Sequence, residues 1–568
     1  MSERRLGVYM CYCGGNISDY VDVERVRETI AREPGVVVAK TALSACSDAS
    51  QQEMVQDISE HNLDGLVVAS CSPKLHMFTF RGVARRAGLN PYQYTQVNVR
   101  EQCSWAHTDD REGATRKEIN LIRAGIGRTG LTEPLEPIRI DTVPEVLVVG
   151  GGIAGLRAAI ALSDIGIAVL LVEKSPALGG RVGQLGTMYP HGKNGWQLVA
   201  RLLDEIAKRN NITCLTNAEL VAKSGSIGDF TVKVRAGGGE MTRNVGTVVI
   251  ATGFDSYLPD MGEYGYGIDG VVTLPEFKEL LDRESGVPTQ GGREIRDIVY
   301  IYCVGSRQDE ERDNPNRYCS RYCCNAAVHS SLVVSERNAN AHQYHLFRDM
   351  RTYGKYELLY GQSREAGSTY LRFEEPPVVE KSSGGKVKVT VKDLLTYGEE
   401  IEIEADLVVL VTGMVPGKNE DLVSLLKLPV GRDRFFNEIH PKLRPVETMV
   451  DGVLICGTCQ GPKNSSEAVA SALAAATQGA AILKKGYVEL DPLMAAVNPE
   501  LCDGCGECVA ACPYSAIEMG EGKAGVNKAG CKGCGGCVPV CPRDAVDLKG
   551  YTDAQIRAMI DGFLKEVG

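Results

Sequence analysis

The sequence predicts an α/β protein of several domains, and three observations support this. Its first 140 residues alternate short β-rich runs with helical stretches, the pattern of a parallel sheet with connecting helices. A buried strand at residues 145–149 leads directly into a glycine-rich turn and a helix. The carboxy-terminal part, from residue 502 on, holds two copies of one cysteine phrase. At 568 residues the chain is too long for one hydrophobic core, so several domains are expected.

Composition excludes some functions. The net charge of -11 argues against nucleic-acid binding, which needs a basic surface. No membrane span is expected, because the alanine-rich run at 468–483 is interrupted by Ser471, Thr477 and Gln478 and reads as a close-packed helix. Twenty cysteines without an export signal predict a cytoplasmic protein whose thiols bind metals or carry out redox chemistry.

Residues 1–140 form the first predicted domain. Strands are expected at 6–10, 35–41, 65–69 and 94–99, with helices between them. A proline-bearing linker at 132–137 separates this domain from the strand at 145–149.

The glycine turn after that strand is predicted to bind a dinucleotide. Strand, G-x-G-x-x-G turn and helix follow one another, and an acidic residue comes about twenty positions later. The glycines let the backbone approach a pyrophosphate at the helix N-terminus, and the carboxylate accepts from ribose hydroxyls. The candidate residues are Gly150, Gly152, Ile153, Ala154, Gly155, Glu173 and the neighbouring Lys174.

Two further phrases favour FAD at this site. Residues 178–181 and the strand that ends in Ala251, Thr252 and Gly253 resemble those of two-dinucleotide flavoprotein reductases of the thioredoxin-reductase type. That resemblance implies an FAD domain in two parts, 141–255 and 416–490, interrupted by a second Rossmann-like unit at 256–415. It adds Gly180, Arg181, Gly457 and Thr458 to the candidate FAD contacts.

The second unit lacks a pyridine-nucleotide fingerprint. Where glycines should follow the strand at 297–302, the chain carries four thiols within twenty-two residues. Adjacent cysteines often serve as small apolar packing residues. Their position at the lost nucleotide motif favours an iron–sulfur cluster beside the flavin, with the ligands Cys303, Cys319, Cys323 and Cys324.

The repeated cysteine phrase near the carboxy terminus has the spacing of a bacterial two-cluster ferredoxin. In that spacing three thiolates of one run and the fourth of the other hold each 4Fe-4S cluster. A zinc site is the alternative reading of C-x-x-C pairs, but zinc seldom needs eight cysteines in two interleaved runs. The predicted groups are Cys502, Cys505, Cys508 and Cys541, and Cys531, Cys534, Cys537 and Cys512. The ferredoxin domain is placed at 491–550, with a carboxy-terminal helix at 551–568.

With these motifs in order, the chain resembles the A-type subunits of heterodisulfide reductase and their bacterial relatives. The resemblance covers nearly the whole length and includes the phrases at 11–17, 71–76, 100–105, 303–307 and 319–324 as well as the flavin and ferredoxin motifs. It implies one more 4Fe-4S cluster in the amino-terminal domain. Five cysteines at or just after strand ends compete for four ligand positions there, and the choice between the first two stays open: Cys11, Cys13, Cys46, Cys71 and Cys103.

Two departures from the family pattern affect the expected cofactors. The segment 184–194 contains no cysteine, so the inserted ferredoxin of longer members is absent and four clusters are expected beside FAD. His329 stands five residues past Cys324, where methanogen-type members carry a lysine by the flavin N5. A histidine there would tune the flavin potentials and is the candidate catalytic residue.

The resemblance implies an oxidoreductase hub in which FAD converts between two-electron and one-electron transfer, by bifurcation or confurcation. Its implied partners are B- and C-type iron–sulfur subunits, ferredoxin, and a hydrogenase, formate dehydrogenase or NADH-oxidising donor, with the chain as a homodimer. Two alternatives remain: a stand-alone NAD(P)H:ferredoxin-type oxidoreductase, and a non-bifurcating relay protein within a complex such as an acyl-CoA reductase. The Cys456-x-x-Cys459 pair has two possible roles, dithiol redox chemistry or simple packing, and the sequence does not decide between them.

Overall fold

The computed structural model describes residues 4–189, 192–283, 288–290 and 293–565. The chain divides into two compact units, Met1–Arg139 together with Glu489–Gly568, and Ile140–Val488. Part of the cysteine-free segment at 184–194 and the last three residues of the expected terminal helix lie outside the described residues.

The amino-terminal domain is a four-stranded parallel sheet in the order β2-β1-β3-β4. Its central strands are fully buried, which explains why they read as continuous apolar runs. The elements are β1 (Leu6–Cys11), α1 (Val23–Ile30), β2 (Val36–Ala42), α2 (Asp48–Glu60), β3 (Gly65–Ser70), α3 (Pro73–Arg86), β4 (Tyr94–Asn98) and α4 (Arg111–Gly130). The expected strands and their parallel pairing are present. The strand β5 (Ile138–Asp141) follows.

The second unit begins with a five-stranded parallel sheet whose last strand comes from a distant part of the chain. Its elements include a small antiparallel sheet, β11-β12-β13, that the sequence did not predict. They are β6 (Glu145–Val149), α5 (Ile153–Asp164), β7 (Ala168–Val172), β8 (Thr187–Met188), β9 (Lys193–Asn194), α6 (Gly195–Ala207), β10 (Ile212–Leu215), β11 (Ala218–Ser226), β12 (Asp229–Ala236), β13 (Gly239–Val245) and β14 (Thr247–Ile250).

A second parallel sheet interrupts the first, as the fold class predicts. Its order is β16-β25-β19-β20-β21, and a second antiparallel sheet, β22-β23-β24, accompanies it. The elements are β15 (Phe254–Ser256), β16 (Val271–Thr273), α7 (Leu274–Arg283), β17 (Thr289–Gln290), β18 (Arg293–Glu294), β19 (Asp297–Val304), α8 (Cys323–Arg337), β20 (His342–Phe347), α9 (Glu357–Glu365), β21 (Thr369–Arg372), β22 (Val378–Lys381), β23 (Val387–Asp393), β24 (Glu399–Ala405), β25 (Leu407–Thr412) and β26 (Met414–Pro416).

The chain then returns to the first sheet of this unit. Strand β27 pairs with β14, and a long alanine-rich helix covers the sheet. An Asn464 capping box starts that helix, since the side chains of Asn464 and Glu467 each accept from the other's backbone N–H. The elements are α10 (Glu420–Leu426), β27 (Val453–Ile455) and α11 (Ser465–Lys484).

From Glu489 on, the carboxy-terminal segment belongs to the same unit as the amino-terminal domain. Its elements are β28 (Tyr487–Leu490), β29 (Ala495–Val497), α12 (Glu507–Ala510), β30 (Ile517–Gly520), β31 (Lys523–Val526), β32 (Val546–Leu548) and α13 (Asp553–Leu564). Helix α13 packs closely on α4, because glycines face backbone on both sides. A Cβ at Gly127 would lie 2.5 Å from the Ala558 carbonyl oxygen, and one at Gly562 would lie 2.7 Å from that of Arg123. The two ends of the chain, predicted as separate domains, therefore form one unit.

Among the described residues, no helix combines the length and the apolar character needed to cross a bilayer.

Candidate functional site

The glycine turn between β6 and α5 has the geometry of a nucleotide cradle. A Cβ at Gly155 would lie 1.8 Å from the Gly150 carbonyl oxygen, so this position requires glycine for the turn to close on the helix. A Cβ at Gly152 would meet nothing nearer than the Gly180 Cα, at 3.9 Å. Gly152 therefore borders open space at the N-terminus of α5, where a pyrophosphate fits.

The carboxylate of Glu173 holds this turn in place. Its Oε2 accepts from the backbone N–H of Gly151 at 2.6 Å, and its Oε1 accepts from the backbone N–H and the hydroxyl of Ser175 at 2.8 Å. Glu173 directly follows β7, beside the cradle, and the remaining lone pairs of its carboxylate stay available for ribose hydroxyls. The side chain of the neighbouring Lys174 is exposed.

Three other candidate segments meet the cradle. Gly179 forms a parallel bridge to Gly152, which brings Gly180 and Arg181 to the turn. Gly150 lies against the Ala251 carbonyl, and a Cβ at Gly457 would lie 2.8 Å from that of Ala154. The contacts that link these segments involve Gly150, Gly152, Ala154, Gly180, Ala251, Gly253, Gly457 and Thr458.

One orphaned atom supports a bound ligand at this place. The Thr252 hydroxyl oxygen is buried and has no hydrogen-bond partner among the described residues. Buried hydroxyls normally find a partner. The open glycine cradle and this orphaned hydroxyl together fit FAD, and contact by each residue stays a prediction.

Four thiols of the second sheet come together at its carboxyl edge. Strand β19 contains Cys303, which adopts a left-handed φ of 64°, and α8 begins with Cys323 and Cys324. Electrostatic interactions join Cys303 and Cys323 to each other, to Cys324 and to Cys319. Burial raises the pKa of Cys303 to about 11, so a bound cation is needed to keep this sulfur as a thiolate. The pKa of Cys324 is lowered instead, mainly by its hydrogen bond with Cys323.

Arginines around this group were missed from the sequence. Arg307 and Arg348 oppose the rise in the pKa of Cys303, and Arg351 contributes both charge and a backbone hydrogen bond to Cys324. Arg307 also pairs with Asp349 at 2.7 Å. Only Arg307 carried a sequence signal, since it stands four residues past Cys303; the other two reach the thiols through the fold.

The turn after β19 is closed to a nucleotide. A Cβ at Gly305 would lie 1.9 Å from Cγ of Tyr257, so the Tyr257 ring covers the one glycine of this turn. The contrast with Gly152 is direct, because that glycine borders open space. The second sheet thus presents thiols and an aromatic ring where a pyrophosphate would otherwise lie.

His329 lies on α8, buried, with the pKa of its imidazole lowered to about 4. Burial is the main cause, and the charge of Lys278 adds to it. The histidine is therefore neutral at pH 7, and its Nδ1 has no partner among the described residues. Its contact with a flavin stays a prediction.

In the amino-terminal domain the structure gathers four of the five candidate cysteines. Cys11 interacts electrostatically with Cys13 and Cys46, and Cys71 interacts with Cys11 and Cys13. Backbone N–H groups of Cys13 and Ala45 donate to the Cys11 sulfur at 3.2 and 3.3 Å. The sequence treated the first two cysteines as alternatives, whereas the structure includes both.

Cys103 does not join this group. It is fully buried, and its thiol donates to the Ala114 carbonyl of α4 at 3.1 Å. Its electrostatic neighbours are Glu118 and Lys117, and burial raises its pKa to about 12. The placement of Cys103 therefore does not support it as a ligand, because its sulfur bonds the Ala114 carbonyl of α4 and no other cysteine is among its electrostatic neighbours.

The carboxy-terminal cysteines group as the interleaved spacing predicts, and cluster binding by them stays a prediction. Cys508 interacts with Cys502, Cys505 and Cys541. Cys537 interacts with the second set, Cys531, Cys534 and Cys512. Backbone N–H groups donate to ligand sulfurs at equivalent places, Ala516 to Cys512 at 3.2 Å and Ala545 to Cys541 at 3.3 Å.

The spacing of the thiols argues against a mononuclear zinc site. Tetrahedral zinc with sulfur at about 2.3 Å brings its ligand sulfurs within about 3.8 Å of one another. Within the described residues, which include all twenty cysteines, no three sulfur atoms lie within 4.8 Å of one another. The four groups of thiols are therefore wider than a mononuclear zinc site allows, as a cluster that separates its ligands requires.

Cys456 and Cys459 pack inside the core of this structure. Both are buried, and burial raises the pKa of each. Cys459 donates to the Cys456 carbonyl at 3.1 Å. An activated dithiol needs a lowered pKa and access, and this pair has neither.

Comparison with known proteins gives consistent results. Residues 145–234 match the family described as FAD dependent oxidoreductase, and residues 494–542 match the 4Fe-4S dicluster domain. The chain is 35% identical to an A-type iron-sulfur subunit of the CoB--CoM heterodisulfide reductase of Methanopyrus kandleri, over 91% of this chain and 92% of that protein. It is also 35% identical to the A-type subunit of the H(2):CoB-CoM heterodisulfide,ferredoxin reductase of Methanothermobacter thermautotrophicus, over 100% of this chain and 98% of that protein.

Among solved structures, thioredoxin reductase of Lactococcus lactis matches 60% of this chain and 100% of its own length. The identity is 17% and the TM-score is 0.42.

Proposed function

Because the chain belongs to the family of heterodisulfide reductase A-type subunits, oxidoreductases with FAD and 4Fe-4S clusters, we propose that it splits or joins electron pairs as the hub of a larger complex. FAD, when bound, exchanges electrons in pairs or singly, and iron–sulfur clusters accept them singly. The protein's part is to place these cofactors and set their potentials.

The observation that carries the proposal is the turn after β19. A stand-alone NAD(P)H oxidoreductase needs a second pyrophosphate cradle, but Tyr257 covers Gly305. Cys303, Cys323 and Cys324 cluster at the same edge with Cys319. A one-electron carrier in this position lets electrons leave the flavin without a nicotinamide.

We assign four 4Fe-4S clusters to the chain. One is held beside the flavin by Cys303, Cys319, Cys323 and Cys324, and two by the ferredoxin groups. The fourth is held in the amino-terminal domain by Cys11, Cys13, Cys46 and Cys71, without Cys103. Each assignment is supported by the mutual interactions of its sulfurs.

The residues around each group of cysteines support different reduction potentials for the four clusters. Arg307, Arg348 and Arg351 surround the flavin-side thiols with positive charge, which stabilises a reduced cluster. The ferredoxin thiols Cys505 and Cys534 are exposed, so contact with solvent influences the reduction potentials of those clusters instead. Such contrasts allow one electron of a pair to move downhill while the other reaches a low-potential acceptor.

The ferredoxin segment and the amino-terminal domain share a unit, which supports a common port for partners. Relatives are named for hydrogen, formate and ferredoxin as well as for the CoB-CoM heterodisulfide. We propose that the chain is a homodimer whose partners are B- and C-type iron–sulfur subunits, ferredoxin and a hydrogenase, formate dehydrogenase or NADH-oxidising donor.

A coupled assay with the assembled complex tests the proposal. Ferredoxin reduction should require simultaneous turnover of a high-potential acceptor, with equal numbers of electrons in the two products. Ferredoxin reduction that proceeds unchanged without this acceptor would identify a simple relay. Rapid NAD(P)H oxidation by the isolated chain would establish the stand-alone reductase instead.

Iron analysis tests the flavin-side group separately. The double variant Cys319→Ala, Cys323→Ala should lose about four iron atoms per chain. Cys214→Ala is the matched control, because Cys214 lies half-buried in β10 and no other cysteine is among its electrostatic neighbours. Unchanged iron content in the double variant would exclude this cluster.

A further inference from the structure

Three polar side chains in the second unit carry groups without adequate partners. The Tyr189 hydroxyl and the His329 Nδ1 are buried, and neither has a hydrogen-bond partner among the described residues. Their rings lie 6.5 Å apart. Lys278 donates to the Thr187 carbonyl at 2.9 Å, and within the described part of the chain no carboxylate oxygen lies within 4.0 Å of its Nζ. Folded proteins satisfy nearly all such groups, so the three together indicate a ligand.

These side chains come from three separate elements. Tyr189 follows β8, Lys278 lies on α7 and His329 lies on α8. Lys278 acts electrostatically on His329, and Tyr189 contacts the His329 ring. Convergence of three elements on one polar spot is unlike the apolar packing elsewhere in this core.

The spot adjoins both the nucleotide cradle and the flavin-side thiols. Tyr189 interacts electrostatically with Tyr322 and Cys323. The Tyr322 ring lies 6.4 Å from the Phe254 ring, which directly follows Gly253 of the cradle. A ligand that extends from the glycine cradle toward the thiols would therefore reach Tyr189 and its neighbours.

The three groups differ in the charge that they can carry. Burial lowers the pKa of His329 to about 4, so its imidazole is neutral and offers a hydrogen bond. Burial also raises the pKa of the Tyr189 hydroxyl, which stays protonated. Lys278 is the basic member of the group; burial lowers its pKa, and the charge of Asp282 opposes this.

We propose that Lys278, Tyr189 and His329 form a polar triad that contacts the redox-active ring of FAD, with Lys278 as its basic member. This rests on the proposed function, which places the flavin beside the cluster thiols of Cys303, Cys319, Cys323 and Cys324. Reduction adds electron density to the ring, so a nearby cation stabilises the reduced form and raises its potential. Tyr189 and His329 orient the ring by hydrogen bonds.

The test is the two-electron midpoint potential of FAD in the purified, cluster-loaded protein, measured by spectroelectrochemistry. Lys278→Met should lower the equilibrium constant for flavin reduction at least tenfold, which is about 30 mV. Lys278→Arg keeps the charge and should retain most of the wild-type potential. Lys208→Met, an exposed lysine that follows α6, is the control and should change nothing.

Affinity gives a second readout. Tyr189→Phe removes one hydrogen-bond donor and should weaken FAD binding roughly fivefold, measured by titration of the apoprotein with FAD. If Lys278→Met does not fold, Lys278→Gln replaces it, with thermal melting as the check on folding.

The outcomes separate the triad from the proposed function. An unchanged potential in Lys278→Met, or in Lys278→Gln where that variant replaces it, together with unchanged FAD affinity in Tyr189→Phe, overturns the triad. If His329→Asn alone shifts the potential, the triad is wrong while the flavin placement stands. Failure of coupled ferredoxin reduction in the assembled complex, with the Lys278 shift intact, overturns the proposed function and leaves the triad.

Discussion

The guanidinium of Arg100 donates a hydrogen bond to the sulfur of Cys13 at 3.3 Å. It also stacks over the Trp105 ring at 4.5 Å and pairs with Glu101 at 2.8 Å, so its position is fixed from three sides. A hydrogen bond from a cation to a ligand sulfur raises a cluster's potential. Arg100 therefore links the phrase at 100–105 to the thiols of the same domain without using Cys103.

Removal of this charge should make the amino-terminal cluster harder to reduce. Arg100→Gln should shift its one-electron equilibrium about tenfold, or about 59 mV to more negative potential. Arg25→Gln is the control, since Arg25 pairs with the exposed Glu112 in the same domain. Redox titration followed by electron paramagnetic resonance measures the shift, and equal potentials in both variants would contradict the role of Arg100.

Cys13 and Cys103 should behave oppositely when substituted. Cys13→Ala should remove about four of about sixteen iron atoms per chain, because it takes one ligand from the amino-terminal group. Cys103→Ser should keep all the iron, since its hydroxyl can still donate to Ala114, and should cost about 1–2 kcal/mol of stability. Iron loss in Cys103→Ser with full iron in Cys13→Ala would reverse the assignment.

Iron counting in double variants tests the interleaved ferredoxin groups. Cys505→Ala combined with Cys541→Ala affects one predicted cluster, so the pair should lose about four iron atoms, no more than either single variant. Cys505→Ala combined with Cys512→Ala affects both clusters and should lose about eight. The reverse result, with the larger loss in the Cys505 and Cys541 pair, would mean that each run binds its own cluster.

Sequence predicted the parts whose signal is local. The strands β1, β3, β6 and β7 are continuous apolar runs, and the turn at 150–155 has a strand before it and a helix after it. The antiparallel sheet β11-β12-β13 was not predicted, because its alternating strands lie between the stronger helical and glycine signals.

Side-chain direction and distant packing were beyond the sequence. Cys103 follows the end of a strand, as Cys71 does. Its thiol nevertheless donates a hydrogen bond to a backbone carbonyl of α4 and does not join the other thiols. The union of the chain ends depends on the close approach of α4 and α13 at Gly127 and Gly562, which no local pattern marks. Lys278, from a helix about fifty residues before His329, reaches it only through the fold.

Two alanine substitutions in the cradle should separate folding from FAD binding. Gly155→Ala places a Cβ 1.8 Å from the Gly150 carbonyl and should destabilise the protein by about 1–3 kcal/mol or more. In Gly152→Ala the new Cβ lies near only the Gly180 Cα, at 3.9 Å, so the apoprotein should melt at the wild-type temperature. The dissociation constant for FAD should rise at least about tenfold, or about 1.4 kcal/mol. Equal FAD affinity in Gly152→Ala and wild type, by fluorescence titration, would remove the pyrophosphate from this position.

Glu118 should make stability depend on pH in a direction opposite to that of ordinary carboxylates. It is fully buried on α4, both of its carboxylate oxygens lack partners among the described residues, and burial raises its pKa from 4.5 to about 8. The native state therefore binds this proton more tightly than the unfolded state. Its stabilisation is complete below pH 4.5 and is lost as the pH rises through 8, by at most about 5 kcal/mol.

Glu118→Gln keeps the shape and removes the titration, so the fall in apparent Tm between pH 6 and pH 9 should become smaller in this variant. Glu112→Gln, on the exposed face of the same helix, should keep the wild-type profile. Infrared difference spectra between wild type and Glu118→Gln at pH 6 should show the C=O stretch of a protonated carboxyl. Parallel Tm profiles in all three proteins, with no such band, would mean that Glu118 is ionised in the folded protein and that a partner compensates its charge.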